Sequence, residues 1–472
     1  MSIQTHSLLD RTIRNLRSGW RAIAGNDYSV ETASHRPDLP DDDLPAIREQ
    51  ISACLEGKGG EVSARARAAN LGHVYLALET TGQQRFLKTL NDEYGPDKTR
   101  VETAIKQYQE ANNAAEHQSA EREIRRSLES PRLRLLRQFN DLPDGVKFLV
   151  DMRAQLLELA AKDASLSPLE EDMRHLLKRW FDIGFLELKR ITWDTASAAL
   201  LEKLIAYEAV HTIESWDDLK NRLDSDRRCF AYFHPKMPDE PLIFVEVALV
   251  NGLASSVQAL LDKNAPVQDS KSANTAIFYS ISNAQKGLAG ISFGNFLIKR
   301  VAAQLSQEFP TLKTFATLSP IPGYMGWLRK ALMEEELELA EPTEQRSLKE
   351  IAETAAPNGS LLSLIKDNQW IKDESLTQAL QSPLTRLAAH YLTEQKGRDT
   401  KRARDPVAHF HLSNGAIIEK LNWMGDKSGN GLTQSAGLMV NYLYDLDRID
   451  ENHEAYSGAG KITVSPEIKN LI

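Results

Sequence analysis

From Ile47 to about Leu188, apolar residues recur at spacings of three and four in a background of Ala, Leu, Glu, Arg and Lys, the pattern of helices that bury one face. Val101 to Glu116 is a helical stretch in which polar faces dominate. Arg132 to Leu136 begins another, continued by Phe148, Leu149, Met152, Leu156 and Leu157 after a turn signal at Leu142-Pro143-Asp144-Gly145. Gly57-Lys58-Gly59-Gly60 is a second break. No fixed-period repeat is present, so the pattern predicts a helical bundle rather than a solenoid.

After about residue 190 the texture changes. Cys229 to Phe233, Leu242 to Val250, Thr275 to Ile281, Thr314 to Leu318, Val407 to Leu412 and Leu438 to Tyr444 are short apolar or aromatic runs bounded by Gly, Pro, Asn or Asp. These read as strands. Helical stretches lie between them, notably Phe296 to Phe309 and Leu361 to Leu392. The expected class is therefore α+β: an N-terminal all-α bundle over residues 1–189, then a mixed α/β domain over residues 190–472. The Lys- and Arg-rich stretch Thr393 to Arg404 reads as a solvated loop.

Composition narrows the function classes. With 42% apolar and 26% charged residues, the 472-residue chain has material for two or three domain cores. A net charge of -9 and a pI near 5.8 argue against nucleic acid as a partner, because such binding rests on a cationic field. The two cysteines, Cys54 and Cys229, have no metal-like or redox-like spacing. The strongest apolar run, Leu242 to Val250, carries Glu246 and falls short of the roughly 20 residues that span a bilayer, so no membrane association is expected. Arg11, Arg14, Arg17 and Arg21, interleaved with Leu8, Leu9, Ile13 and Leu16, resemble a targeting peptide, but Asp10 breaks its acid-free pattern. An amphipathic helix opening the helical domain is the reading adopted. Lys469-Asn470-Leu471-Ile472 is no peroxisomal address, and a cytoplasmic protein is expected.

Chemistry concentrates between Thr275 and Gly323. The aromatic strand Ile277 to Ile281 leads into Gly287-Leu288-Ala289-Gly290-Ile291-Ser292-Phe293-Gly294-Asn295, and then into a helix with Leu297, Val301 and Leu305 on one face. Strand, Gly-rich turn and helix together can cradle a pyrophosphate, since glycine lets the backbone come close and the helix N-terminus presents free N–H groups. Lys299 and Arg300 add local positive charge. The same glycines also suit a tight packing corner, and the string matches neither the P-loop nor the dinucleotide fingerprint. Ser319 follows a strand and precedes Pro320 and Pro322, which places its hydroxyl at a strand mouth. The ordinary structural role for such a serine is to satisfy a local backbone group. In Asp405-Pro406-Val407-Ala408-His409-Phe410-His411-Leu412, read as a strand, both histidines face one side and Phe410 the other. A metal pair there lacks a third ligand, so one histidine acting as acid or base is the more economical reading.

These segments resemble the malonyl-CoA decarboxylase family. The resemblance is carried by His234-Pro235-x-Met237-Pro238-x-Glu240-Pro241-Leu242, Tyr279-Ser280-Ile281-Ser282, Gly287-Leu288-x-Gly290, Asn295 to Lys299, Leu318 to Gly323, Phe410-His411-Leu412-x-Asn414-Gly415-Ala416, and Asn422-Trp423-Met424 through Gly437 to Tyr442. It implies a helical self-association domain and a C-terminal domain of the GNAT-type acyl-CoA fold. It also implies malonyl-CoA as substrate, no metal or redox cofactor, and a homo-oligomer, dimeric or tetrameric. On this resemblance the catalytic serine falls on Ser319 and the catalytic histidine on His411, with Ser280, Ser292, Asn414 and Tyr444 around them. The CoA pyrophosphate falls on Ala289, Gly290, Ile291, Ser292, Phe293, Gly294 and Asn295, although only Gly294 keeps the register of the usual acetyltransferase motif. Phe278, Tyr279 and Tyr324 are expected to line the pocket. Competing readings are a GNAT-type acyltransferase, a non-catalytic acyl-CoA sensor and a Ser-His hydrolase.

Overall fold

The computed structural model describes residues 30–57, 60–291, 297–333, 350–351, 353, 361–366, 368–397 and 401–472. The chain forms two compact units. The first comprises residues 1–187, 233–242 and 283–292, and the second residues 188–232, 243–282 and 293–472. The Arg-rich N-terminal stretch lies outside the described residues.

The first unit is built on helices α1 (Leu44–Leu55), α2 (Glu61–Ala77), α3 (Thr80–Glu93), α4 (Lys98–Glu110), α5 (Ala114–Ser127), α6 (Pro131–Asn140), α7 (Gly145–Ala160) and α8 (Ser167–Trp180). Their apolar stripes meet in one core: Ile47 and Ile51 from α1, Phe86 and Leu90 from α3, Leu135 and Phe139 from α6, Phe148 and Met152 from α7, and Met173 and Leu177 from α8 are all buried. Edge-to-face rings knit it, with Tyr75 5.2 Å from Phe86 and 5.7 Å from Phe148, and Phe139 5.1 Å from Phe148. The expected helix across Val101 to Glu116 is instead two. Asn113 caps α5 by accepting the Glu116 N–H, and Glu116 returns its carboxylate to the Asn112 N–H, so the chain stops and restarts there.

The second unit is organised by a mixed sheet of β1 (Glu187–Ile191), β2 (Arg227–His234), β3 (Met237–Val250), β4 (Thr275–Asn283), β5 (Thr314–Thr317), β6 (Ser319–Pro320), β7 (Ile417–Asn422) and β8 (Met439–Leu443). Strands run in the order β1-β2-β3-β4-β5-β8, and β6 and β7 also pair with β8. Helices α9 (Ala198–Tyr207) and α10 (Trp216–Arg222) lie between β1 and β2 in the chain. β4 and β5 are parallel, so the link between them must cross over, and α11 (Leu297–Glu308) supplies it. Their register stops at Phe278↔Thr317, while β4 runs on to Asn283. Beyond Thr317 the chain follows β8, with Ser319 opposite Val440, so the two parallel strands part company. The core on one sheet face contains Ala248, Ile277, Tyr279, Ala316, Leu318 and Met439. Farther along the chain stand α12 (Tyr324–Met333), α13 (Glu374–Thr393), α14 (Pro406–Ser413), α15 (Gly429–Ser435) and α16 (Ile449–Ala459).

The strand expected at Val407 to Leu412 is the helix α14. Asp405 accepts the N–H groups of Val407 and Ala408, and Pro406 occupies the first helical turn, where its missing N–H costs nothing. The stretch expected to be a solvated loop contains a bridge between Lys396 and Ala403.

A buried ion cluster ties α10 to the sheet. Arg222 bonds both Asp218 oxygens at 3.1 and 3.3 Å, Glu246 of β3 at 3.1 Å, and the carbonyls of His211 and Thr212. Removing one partner strands the others without water, which typically costs about 3–5 kcal/mol. Arg222→Met is therefore expected to lower unfolding stability by about that amount, measured as a shift of the urea midpoint at constant slope; a change below about 1 kcal/mol would contradict it.

Candidate active site

Side chains two apart on a strand share a face, so Thr317 and Ser319 project together, as do Tyr442 and Tyr444 on the facing strand. Between these pairs lies the His411 ring, delivered by the last turn of α14. It stacks on Tyr442 at 4.5 Å between centroids and 24° between planes. Its Nε2 lies 3.0 Å from Ser319 Oγ and its Nδ1 2.7 Å from the Tyr444 hydroxyl. All three side chains are buried, with Ser319 6% and His411 3% exposed.

The directions of these bonds follow from counting protons. Thr317 Oγ1 accepts the Tyr442 N–H at 3.1 Å and the Ser319 hydroxyl at 2.9 Å. With its proton on Thr317, Ser319 can only accept from His411, so Nε2 carries the hydrogen and Nδ1 accepts from Tyr444. The chain of donors then runs Tyr444 to His411 to Ser319 to Thr317. Thr317 also closes a gap in the sheet: its hydroxyl takes the Tyr442 N–H, and its carbonyl accepts from Asn441 Nδ2 at 2.7 Å. Asn441 is itself held by the Asn422 amide, 2.8 Å away.

The remaining expected site residues divide clearly. Asn414 closes α14, its Nδ2 donating to the Phe410 carbonyl at 2.7 Å, while its Oδ1 and the Tyr442 hydroxyl are buried without a hydrogen-bond partner among the described residues. Ser280 is not part of the Ser319–His411 chain. It donates to Glu208 at 2.7 Å, and Ser282 donates to the same carboxylate at 3.1 Å. Ala289, Gly290 and Ile291 belong to the first unit, and Ser292, Phe293, Gly294 and Asn295 lie outside the described residues. Lys299 pairs with Asp450, and the Arg300 guanidinium lies 6.0 Å from the Tyr232 ring centroid. Of the aromatic residues expected at the pocket, Phe278 meets the Tyr444 ring edge-on at 6.4 Å. Tyr279 points into the apolar core on the other face of β4, and Tyr324 is buried with its hydroxyl on the Leu384 carbonyl.

Because α14 is a helix, His409 and His411 lie about 200° apart around its axis rather than on one side. His409 bonds Tyr456 at 2.8 Å, away from Ser319. Sequence reasoning also missed Thr317, Tyr442 and Asp405. Asp405 had a readable signal, since Asp followed by Pro is a helix start. Its carboxylate takes the N–H groups of α14 and also that of Gly323, at 3.1 Å, in the turn that follows Ser319.

A helical unit and a mixed-sheet unit that carries a buried Ser-His pair define an α+β protein. The chain belongs to the malonyl-CoA decarboxylase family: residues 184–472 match that family's C-terminal domain and residues 94–181 its N-terminal domain. It is 37% identical over 475 residues to the mouse protein named "Malonyl-CoA decarboxylase, mitochondrial", covering 96% of this chain and 93% of the relative. The goose protein of the same name is 37% identical over 426 residues, covering 87% of this chain and 84% of the relative. Among solved structures, malonyl-CoA decarboxylase from Rhodopseudomonas palustris superposes with a TM-score of 0.82 at 40% identity, covering 90% of this chain and 99% of that one. The enzyme of that name from Agrobacterium vitis gives 0.81 at 39% identity, with the same coverages.

Burial alone pushes the His411 imidazole down from 6.5 to about 3, so the resting ring is neutral. Between those values the unfolded chain binds a proton that the folded chain refuses. The stability this residue confers is thus present above pH 6.5 and is lost as pH falls toward 3. His411→Gln is expected to lose less stability than wild type between pH 7 and pH 4.5 in urea titrations; parallel losses would contradict this.

Proposed function

We propose that this protein decarboxylates malonyl-CoA to acetyl-CoA and carbon dioxide. The observation that carries the reading is the buried chain Tyr444–His411–Ser319, held on a sheet face beside strands that separate. Loss of carbon dioxide sends the electrons of the breaking C–C bond into the thioester carbonyl, and the resulting enolate takes up one proton at its α-carbon. Ser319 orients the substrate carboxylate or relays a proton, and His411 protonates the α-carbon. Burial holds His411 neutral. A carboxylate brought into this buried place raises the imidazole pKa, so the substrate itself recruits the proton that the reaction consumes. Transfer of that carboxylate from water to a less polar setting also favours the more dispersed charge of the transition state.

Asn414 and the Tyr442 hydroxyl bring buried polar atoms to the same helix and strand and complete the surroundings of His411. Ser280, held by Glu208, serves the shell around the Ser-His pair from β4. The turn at Ala289, Gly290 and Ile291, continuing to Asn295, takes the CoA pyrophosphate. Residues 1–189 serve self-association, supported by the exposed Ile105 and Tyr108 on α4, and residues 190–472 carry the chemistry as a GNAT-type domain. Among the described residues no helix is long and apolar enough to cross a membrane. A cytoplasmic location is a separate part of the proposal.

A hydrolase would want a carboxylate to orient His411, and the neutral Tyr444 hydroxyl stands in that place. An acyltransferase would need an amine acceptor. Incubating the protein with malonyl-CoA in chelator, without acceptor, is expected to release acetyl-CoA and carbon dioxide in equal amounts. Free CoA as product would favour the hydrolase, and an intact thioester the acyltransferase or sensor. His411→Asn is expected to lower kcat by roughly 100- to 10,000-fold with little change in malonyl-CoA binding; wild-type kcat in that variant would remove His411 from the mechanism.

A further inference from the structure

Asp405 is 0% exposed, and no step of the proposed chemistry employs it. Its two carboxylate oxygens face different elements. Oδ1 accepts the N–H groups of Val407 and Ala408 at 2.9 and 3.0 Å, which caps α14. Oδ2 accepts the Gly323 N–H at 3.1 Å. Gly323 stands immediately before α12, and its carbonyl takes the Trp327 N–H at 3.1 Å as an α-helical bond. The positive ends of two helices therefore meet on one buried carboxylate. The Tyr391 hydroxyl of α13 gives it a further hydrogen bond, and a Cβ built on Gly323 would lie 2.1 Å from that hydroxyl.

A cap alone does not require this residue type, since Ser, Thr or Asn also satisfies the first N–H groups of a helix. Asparagine, however, would turn an N–H group toward the Gly323 N–H, and serine has only one oxygen to offer. Of the residues that cap helices, aspartate alone accepts on both sides. The two elements it joins are those that carry the reacting pair. Ser319 precedes Gly323 by four residues, and the register of its strand with β8 ends at Pro320. His411 stands about 9 Å along α14 from its cap, so a tilt of about 10° there would shift the ring by roughly 1.5 Å. That shift is half the 3.0 Å that separates His411 Nε2 from Ser319 Oγ.

We infer that Asp405 is a positioning residue for the reaction: by accepting from Gly323 and from the first turn of α14 together, it sets the distance between Ser319 and His411. It acts through those two elements and not on the substrate. This inference rests on the proposed use of the Ser319–His411 pair.

Asp405→Asn separates the bridge from the cap, because its carbonyl can still serve α14 while its amide nitrogen opposes the Gly323 N–H. It is expected to lower kcat for malonyl-CoA by about 100-fold with KM within about threefold, the effect of moving reacting groups apart by about 1 Å. Tyr391→Phe leaves both N–H contacts in place and is expected to keep kcat within about threefold of wild type. Nitrogen NMR of protein with isotope-labelled histidine supplies a readout that lost stability alone does not move. Wild-type His411 is expected as the single Nε2–H tautomer, and Asp405→Asn as two tautomers in exchange. Asp405→Ser, which caps α14 with its one oxygen and cannot also hold Gly323, carries the test if Asp405→Asn does not fold. Wild-type kcat and a single tautomer in the Asp405 variants would overturn the inference. Failure of both variants to fold would overturn it too, by making Asp405 a support of the fold, and an equal loss of kcat in Tyr391→Phe would contradict a role for the two N–H contacts. If His411→Asn itself retains wild-type kcat, it is the reading of the pair that fails; if His411→Asn loses kcat and the Asp405 variants do not, the bridge alone fails.

Discussion

One buried carboxylate, that of Asp405, holds together the two stretches of chain that meet at the Ser-His pair. Ser319 sits four residues before Gly323, and His411 six residues after Asp405; the Gly323 N–H and the first free N–H groups of α14 all converge on the Asp405 oxygens. Burial raises its pKa, and hydrogen bonds from Ala408, Gly323, Val407 and Tyr391 oppose that rise by favouring the charged form. With Asp405 as a fixed corner, the direction of α14 and the exit of the chain from β6 are set together. His411 then reaches Ser319 across the sheet without needing a flexible side chain to search for it.

The rest of the arrangement follows from where regular pairing fails. The prolines after Ser319 cannot donate to a ladder, and Thr317 and Asn441 replace backbone partners with side-chain ones at the point of separation. A continuous sheet would have spent Thr317 on ordinary packing. Here its hydroxyl fixes the proton of Ser319, which leaves the serine an acceptor toward His411 rather than a nucleophile activated by it. Tyr444 supports the imidazole with a neutral hydroxyl, which suits the proton-donor role proposed for His411.

Most strands of the second unit were legible in sequence because Leu242 to Val250, Thr275 to Ile281 and Leu438 to Tyr444 are apolar runs with clear ends. The helical half was legible from its spacing. The stretch around His411 was misread because alternating His-Phe-His imitates a strand, while the Asp405-Pro406 start signal decides for a helix. Ser319, His411 and Tyr444 were reached through resemblance, and the structure joins them in one hydrogen-bonded chain. Thr317 and Glu208 were not legible, because each is placed by a contact between residues far apart in sequence. No local pattern distinguishes a threonine that fills a gap in a ladder from one that merely faces a core.

The most direct test of the account is a crystal structure of the protein with a malonyl-CoA analogue whose thioester is replaced by a stable thioether. The carboxylate is predicted to lie about 3 Å from Ser319 Oγ, with the α-carbon facing His411. A carboxylate bound elsewhere, with Ser319 still engaged only by His411 and Thr317, would contradict the roles given to the pair.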